Sequence, residues 1–429
     1  MEQTNMQKIT FKGEHYNGGA VIQKNERTVY CKMTVDVHEA HTIKGSATEF
    51  VYTDAMLSGA GKYDREAFID AVSMLGASIG IAIGNGRLTF TLKSLDTNLP
   101  KLLKLFETMV TSPAFTKSEL TRIITQATNE RIEHKENAKA IAPERFTNEL
   151  YGKTDRRHTS TPEEIITELA AVTAADLQKL HAKVRGGFWT VTVGGSKESV
   201  ALLTKSVDHC KKGVEAITFT GEHTQHEAKA KTVLHNVPSK QNIEFALGAP
   251  LALTLHHPDY LPFVFGLSVL GKWGGFTGRL MSTVREKEGL TYGIYAKTET
   301  VEGTEQGHWR VMTFFAPDKA LQGLTSTLRE IKKIHKGGIT QSEYDRFRVI
   351  LTTQQTMLAD SLVGSVATLH GYFCADFNLK EIDEFTNRLL GVTRKEINQA
   401  LKAHLNPDAL VISGAGPVQS VKKDIETIP

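Results

Sequence analysis

The residues best placed to do chemistry are an arginine and a tyrosine, Arg285 and Tyr292, near the C-terminal end of the run Gly275-Phe276-Thr277-Gly278-Arg279-Leu280-Met281-Ser282-Thr283-Val284-Arg285-Glu286-Lys287-Glu288-Gly289-Leu290-Thr291-Tyr292. Leu280 and Val284, four apart, give a helix one apolar face, and Gly289 supplies the left-handed residue that ends it. Leu290-Thr291-Tyr292 then turns into a strand over 293–298. Arg285 falls in the last helical turn and Tyr292 at the strand entry, so two donors from adjacent elements can converge on one acceptor. A guanidinium fork and a phenol hydroxyl suit a substrate carbonyl, or the oxyanion formed when water attacks it. The plainer alternative is a surface arginine beside a half-buried strand tyrosine.

Other combinations carry less. His38-Glu39-Ala40-His41 has the residue types of a metal site, but it follows a strand and precedes a helix start, which makes it a loop. His223 and His226 sit in a polar stretch, and Glu133-His134 on a charged helix face, where solvation explains them. Cys31, Cys210 and Cys374 are far apart, with no CxxC spacing and no even count for a disulfide framework. No GxSxG elbow, Walker loop or dinucleotide fingerprint occurs, and Gly271-Lys272-Trp273-Gly274-Gly275 lacks the Lys-Ser/Thr ending of a phosphate loop.

Positioning Arg285 and Tyr292 needs a scaffold, and the chain spells one out twice. Residues 20–35 read as a hairpin, with apolar Ala20-Val21-Ile22, a turn at Lys24-Asn25-Glu26-Arg27 and a β-branched run from Val29 to Val35. A helix over about 46–58 starts at Ser46 and ends at Gly59-Ala60-Gly61, and Asp64 caps the next, which Gly76 closes. Two strands flank the Gly84-Asn85-Gly86 turn. Helices follow over about 99–110, 116–137 and 143–150, then one opened by Thr161-Pro162-Glu163-Glu164 and one capped by Thr173, before a strand from Phe188 to Val193. Thr116-Lys117-Ser118-Glu119 is matched by Thr340-Gln341-Ser342-Glu343, and Val172-Thr173-Ala174-Ala175-Asp176-Leu177 by Val392-Thr393-Arg394-Lys395-Glu396-Ile397. Two matches in order at nearly one offset indicate a duplicated unit of roughly 210 residues.

The 429 residues suit two or three domains. With 51 Lys+Arg against 48 Asp+Glu, interspersed, the formal charge of +3 gives no electrostatic footprint for nucleic acid. No run of about 18 apolar residues suggests a membrane span. The N-terminus lacks an apolar signal core, so a cytoplasmic location is the default expectation, with a periplasmic one if a signal was removed.

The 275–292 run resembles the second domain of pitrilysin/insulinase-family zinc peptidases, where a helix carrying LREKxGLxY leads into a strand. The resemblance extends over nearly the whole chain in element order and is specific in this run and in 46–61. It implies that Arg285 and Tyr292 are the family's substrate-holding pair. It also implies a zinc helix in the first domain. Active members carry H-x-x-E-H there: the histidines, four apart on one helical face, bind zinc, the glutamate activates water, and a distant glutamate completes the site. Anchored on Met56-Leu57 and Gly59, that motif falls on Val51-Tyr52-Thr53-Asp54-Ala55, with the distant ligand at Glu130 or, alternatively, Glu133. Val51 and Ala55 have no donor atoms, Asp54 is a shortened remnant of the base, and two carboxylates without imidazole make a poor zinc site.

The expectation is an α+β fold of two homologous domains, each a mostly antiparallel sheet with helices packed on one face, together one bowl of a clamshell. The divisions are 1–210 with the degenerate zinc motif, 211–239 as linker and entry strand, and 240–429 with the Arg/Tyr pair. The implied function is that of a catalytically incomplete subunit: it binds no metal or cofactor itself and pairs with a zinc-bearing homologue to hold peptide. The rival reading is a structural scaffold that lost both sites; a further one is a peptidase with an unusual site built on Asp54 and Glu130.

Overall fold

A computed structural model describes residues 6–24, 26–37, 41–217, 229–272, 275 and 277–428. The decoys His38-Glu39-Ala40 and His223/His226, and turn residue Asn25, lie outside them. The chain forms two compact units. The first joins Met1–Arg131, Ser160–Glu222 and Gln355–Ile382; the second joins Ile132–Thr159, His223–Gln354 and Asp383–Pro429.

In the first unit the strands are β1 (Met6–Lys12), β2 (Tyr16–Gln23), β3 (Thr28–Asp36), the two-residue pair β4 (Gly59–Ala60) and β5 (Tyr63–Asp64), β6 (Ser78–Gly84), β7 (Arg87–Leu95) and β8 (Trp189–Gly195). The main sheet runs β1-β2-β8-β3-β7-β6. The expected 20–35 hairpin does not form. β2 and β3 are both strands, but β8 lies between them, parallel to β2 and antiparallel to β3. The alternation of apolar residues identified both strands; it carried no information about which strand sits beside which. The β6–β7 hairpin does form, with Asn85 at φ 51° and Gly86 at φ 70°, the positive values that a tight two-residue turn requires.

In the second unit the strands are β9 (Lys231–Asn236), β10 (Ile243–Leu251), β11 (Ile294–Glu299), β12 (Gly307–Phe315) and β13 (Val411–Gly416), in the order β11-β12-β10-β13-β9. Setting β6, β7, β3, β8 and β2 against β11, β12, β10, β13 and β9 gives the same order, with the same single parallel pair, β2/β8 or β9/β13. The duplication read from capping boxes is therefore matched in topology. The boxes themselves form at Thr173/Asp176 and Thr393/Glu396, heading helices Ala174–Gly186 and Arg394–His404.

Each sheet is covered on both faces, and one cover comes from the other half of the sequence. Along β8, Trp189, Val191 and Val193 enter the first unit's main core. The alternate residues Thr192 and Gly194 meet helix Leu362–Cys374. The His370 ring bridges Thr34 Oγ1 (2.7 Å) and Thr192 Oγ1 (3.0 Å), and a Cβ on Gly194 would strike Val366 and Leu362. In the second unit, helix Ala138–Leu150 packs Phe146 and Leu150 with Ala246 and Val411, and Ala138 with Ala415. The division by sequence at 210 and 240 counts the duplicated halves; the compact units are cut differently because each borrows a helix. Among the described residues no helix is long and apolar enough to cross a membrane.

Candidate functional site

The helix expected over 46–58 runs Ile43–Met56, because the Thr42 hydroxyl, not Ser46, caps it by accepting from the Gly45 N–H at 3.0 Å. Its inner face is fixed by Tyr52, whose O–H donates to His181 Nδ1 at 2.8 Å, while His181 Nε2 bonds the Val110 carbonyl at 2.8 Å. Lys44 pairs with Asp176 at 3.1 Å. Burial drives the His181 pKa down to about 4, so the imidazole is neutral at physiological pH. Val51 and Ala55 are 0% and 2% exposed and belong to the hydrophobic core. These two positions, where an imidazole pair would be needed, point into packed apolar surroundings.

Asp54 stays solvent-accessible. Its carboxyl is pushed up by partial desolvation, then by the negative charge of Glu130, with Arg122 in partial opposition. Asp54 and Glu130 are therefore in electrostatic reach of each other on one unit. Glu130 accepts from Gln126 Nε2 at 2.9 Å, and Arg122 pairs with Glu119 at 2.9 Å. Glu133 falls in the second unit, where with Glu136, Lys139, Lys240 and Glu244 it lines an open pocket of about 380 Å³. Among the described residues no group of three or more His, Cys, Asp or Glu is arranged to hold a metal ion.

Arg285 and Tyr292 come together. The guanidinium carbon lies 4.7 Å from the centre of the Tyr292 ring, a cation–π stack, and Tyr292 is 71% exposed. The expected helix is present as a π-helix, Met281–Lys287, with its wider turn closed by Glu288 N–H to the Thr283 carbonyl at 3.0 Å. Leu280, Met281 and Val284 are fully buried beneath it. Gly289 ends it at φ 64°, its N–H on the Arg285 carbonyl, as the sequence requires. Thr313 Oγ1 donates to the Gly293 carbonyl at 3.1 Å and holds the following turn against β12.

A cluster that the sequence did not signal lies at the β11–β12 loop. Tyr151 O–H meets His308 Nδ1 at 2.9 Å; the Arg157 guanidinium stacks on the Tyr151 ring at 3.7 Å and pairs with Asp155; Arg310 pairs with Glu299 at 2.5 Å. The members come from segments about 150 residues apart, so no local spacing reveals them. Opposite charges balance, and the cluster locks residues 151–157 onto the second unit.

The model of the insulinase family, peptidase family M16, matches residues 20–163, and that of the peptidase M16 inactive domain matches residues 171–351. A Helicobacter pylori protein described as non-peptidase homolog YmxG is 21% identical over 384 residues, covering 87% of this chain and 84% of that one. A crystal structure of a peptidase M16 inactive domain from Pseudomonas fluorescens has TM-score 0.82 and 24% identity, covering 96% of this chain and 98% of that one. A structure described as a protease from Helicobacter pylori has TM-score 0.80 and 14% identity, covering 96% and 99%. The likeness to these structures is one of fold. The two family models together span most of the sequence, and the chain belongs to the insulinase family, peptidase family M16, as an inactive peptidase-like homologue.

Proposed function

We propose that this chain is the non-catalytic subunit of a two-part M16 peptidase: it grips peptide through Arg285 and Tyr292 and completes the active site of a zinc-bearing homologue. The observation that carries the reading is the stack of half-buried Arg285 on exposed Tyr292, 4.7 Å from guanidinium carbon to ring centre. A surface pair with no role has no need of a π-wound segment and a glycine cap to bring it together. The stack orients the fork while the phenol hydroxyl stays open to solvent, the arrangement needed to hold a carbonyl and the charge that develops on it. The buried apolar side chains at 51 and 55 support the second half of the reading, that hydrolysis takes place on the partner.

The test is reconstitution. The purified chain alone should contain no stoichiometric zinc and cleave no peptide. Mixed with an M16 homologue from the same genome that keeps H-x-x-E-H, it should support hydrolysis. Arg285→Ala should lower kcat/KM about 10²-fold, the scale of losing a donor that acts in the transition state. Full activity of the mixture with Arg285→Ala and Tyr292→Phe combined would favour a scaffold. Stoichiometric zinc in the isolated chain would exclude a borrowed metal.

A further inference from the structure

A π-helical segment is an uncommon way to carry an arginine, and its flanks are tied to neighbouring helices. Seven residues in one π-wound run is long for a winding that occurs mostly as single bulges. The regular counterpart in the first half is an ordinary α-helix, Arg65–Ser73, capped by Asp64. In the second half no side chain caps the π-helical run. Two carboxylates tie its flanks instead.

Before the run, Arg279 forms a fork on Glu343, Nε to Oε1 at 2.6 Å and Nη2 to Oε2 at 2.7 Å, and Nη2 also reaches the Gly338 carbonyl at 2.8 Å. Glu343 is itself fixed, because its Oε2 accepts from the Thr340 N–H at 2.8 Å at the head of helix Gln341–Asp360. After the run, Glu288 accepts from Ser326 Oγ at 2.5 Å and pairs with Arg329, both on helix Ala320–Gly337. Arg329 is held from its other side by Glu330, which is 4% exposed and also pairs with Lys333 at 3.1 Å. Both anchors are doubly satisfied charge-assisted bonds, the kind strong enough to fix a local backbone. Burial opposes ionisation of Glu288 and Glu343, and their bonded partners outweigh it, so both carboxyls lie below the ordinary glutamate value and stay charged.

Between the anchors sits Arg285. Glu288 is three residues beyond it, and the turn that closes the run passes through the Arg285 carbonyl, which accepts from Gly289. Moving Glu288 therefore moves the backbone from which the guanidinium reaches the Tyr292 ring. We propose that Glu288 is a positioning residue: anchored to helix 320–337, with the Arg279–Glu343 fork tying the other flank, it holds the π-wound segment so that Arg285 stacks on Tyr292. The proposal rests on the reading of Arg285 and Tyr292 as a peptide grip for its purpose, though not for its geometry.

The experiment has one arm for each. In the full-length chain, the Nε–Hε resonance of Arg285, identified by its loss in Arg285→Lys, should be shifted upfield by the Tyr292 ring, and Tyr292→Leu should remove that shift. Glu288→Gln should move the resonance at least halfway to its Tyr292→Leu position, and Ser326→Ala, which removes one contact to Glu288, should move it in the same direction by less. Binding of a fluorescein-labelled unstructured casein peptide is the second arm. Glu288→Gln should weaken it about 5-fold in the native background and leave it unchanged in the Arg285→Ala background, a coupling that a purely structural effect would not produce. An unmoved Arg285 resonance in both Glu288→Gln and Ser326→Ala overturns the positioning role while leaving the grip intact. Peptide affinity indifferent to Arg285→Ala overturns the grip, and the resonance still decides the positioning.

Discussion

At the scale of single residues, the informative positions are Val51 and Ala55. A degenerate metal site can keep its cavity and lose only its ligands, or its face can be absorbed into the core. Here both side chains are part of the main apolar cluster, so the face that the resemblance would give to a metal is filled by the core. Restoring the motif should therefore fail as chemistry and succeed as damage. The triple variant Val51→His, Asp54→Glu, Ala55→His should lose about 1–3 kcal/mol or more, from overpacking at 55 and burial of imidazole at 51. It should also take up no stoichiometric zinc, as measured by urea unfolding and by metal analysis. An undiminished unfolding midpoint with one bound zinc would mean that the helix face is open after all. Only the resemblance pairs Asp54 with Glu130 in the sequence; the effect of Glu130 on the Asp54 carboxyl is a property of the folded unit.

At the scale of elements, the exchanged helix Leu362–Cys374 is the best place to test what holds a sheet's second face. His370 is buried between Thr34 and Thr192, with Lys32 and Arg87 also disfavouring its charge, and its pKa falls to about 3, burial being the main cause. A histidine with a folded pKa below its unfolded value of about 6.5 contributes stability that is complete above that value and lost as pH falls toward the folded one. His370 and His181 each should therefore cost up to about 1.4 kcal/mol per pH unit as the pH drops from about 6 toward 4. His370→Gln cannot take up a proton. Urea unfolding at successive pH values should show its acid slope reduced by one group's share, and an unchanged slope would mean that His370 is not held neutral in the fold. Helix starts were legible at Asp64, Thr161 and Thr393, but not at Asn137, which caps a helix beginning at Ala138 and holding Pro143, its expected start, in its interior. They were misread at 42–46, where two hydroxyl residues compete for the cap, and the π-winding of 281–287 left no signal, because its apolar positions four apart also fit an α-helix.

At the scale of the molecule, each half of the sequence completes the other's unit: residues 132–159 belong with the second sheet and 355–382 with the first. The halves should therefore be inseparable once folded. With a protease site inserted between residues 217 and 229, the folded protein after cleavage should elute as one species of unchanged size, and the halves should part only in denaturant. Separation under native conditions would show that the borrowed helices contribute little. The charge-balanced cluster of Tyr151, Asp155, Arg157, Glu299, His308 and Arg310 adds to this lock on the second unit.

The sequence by itself determined many of the elements, the turn glycines and the Arg285/Tyr292 spacing, because each is set by contacts within about one or two turns of chain: a hydroxyl on a nearby N–H, a positive φ, an apolar stripe; it also showed the duplication, through repeated caps, but not strands β1, β10 and β12. It also carried a trace of the double-sided sheet, since β10 is a nearly unbroken apolar run, as strands buried on both faces are. Only the tertiary structure decided that β8 comes between β2 and β3, that a helix from the other half covers each sheet, and that Val51 and Ala55 face the core. Those outcomes depend on which distant surfaces fit together, and periodicity along a chain says which residues are buried without saying by what.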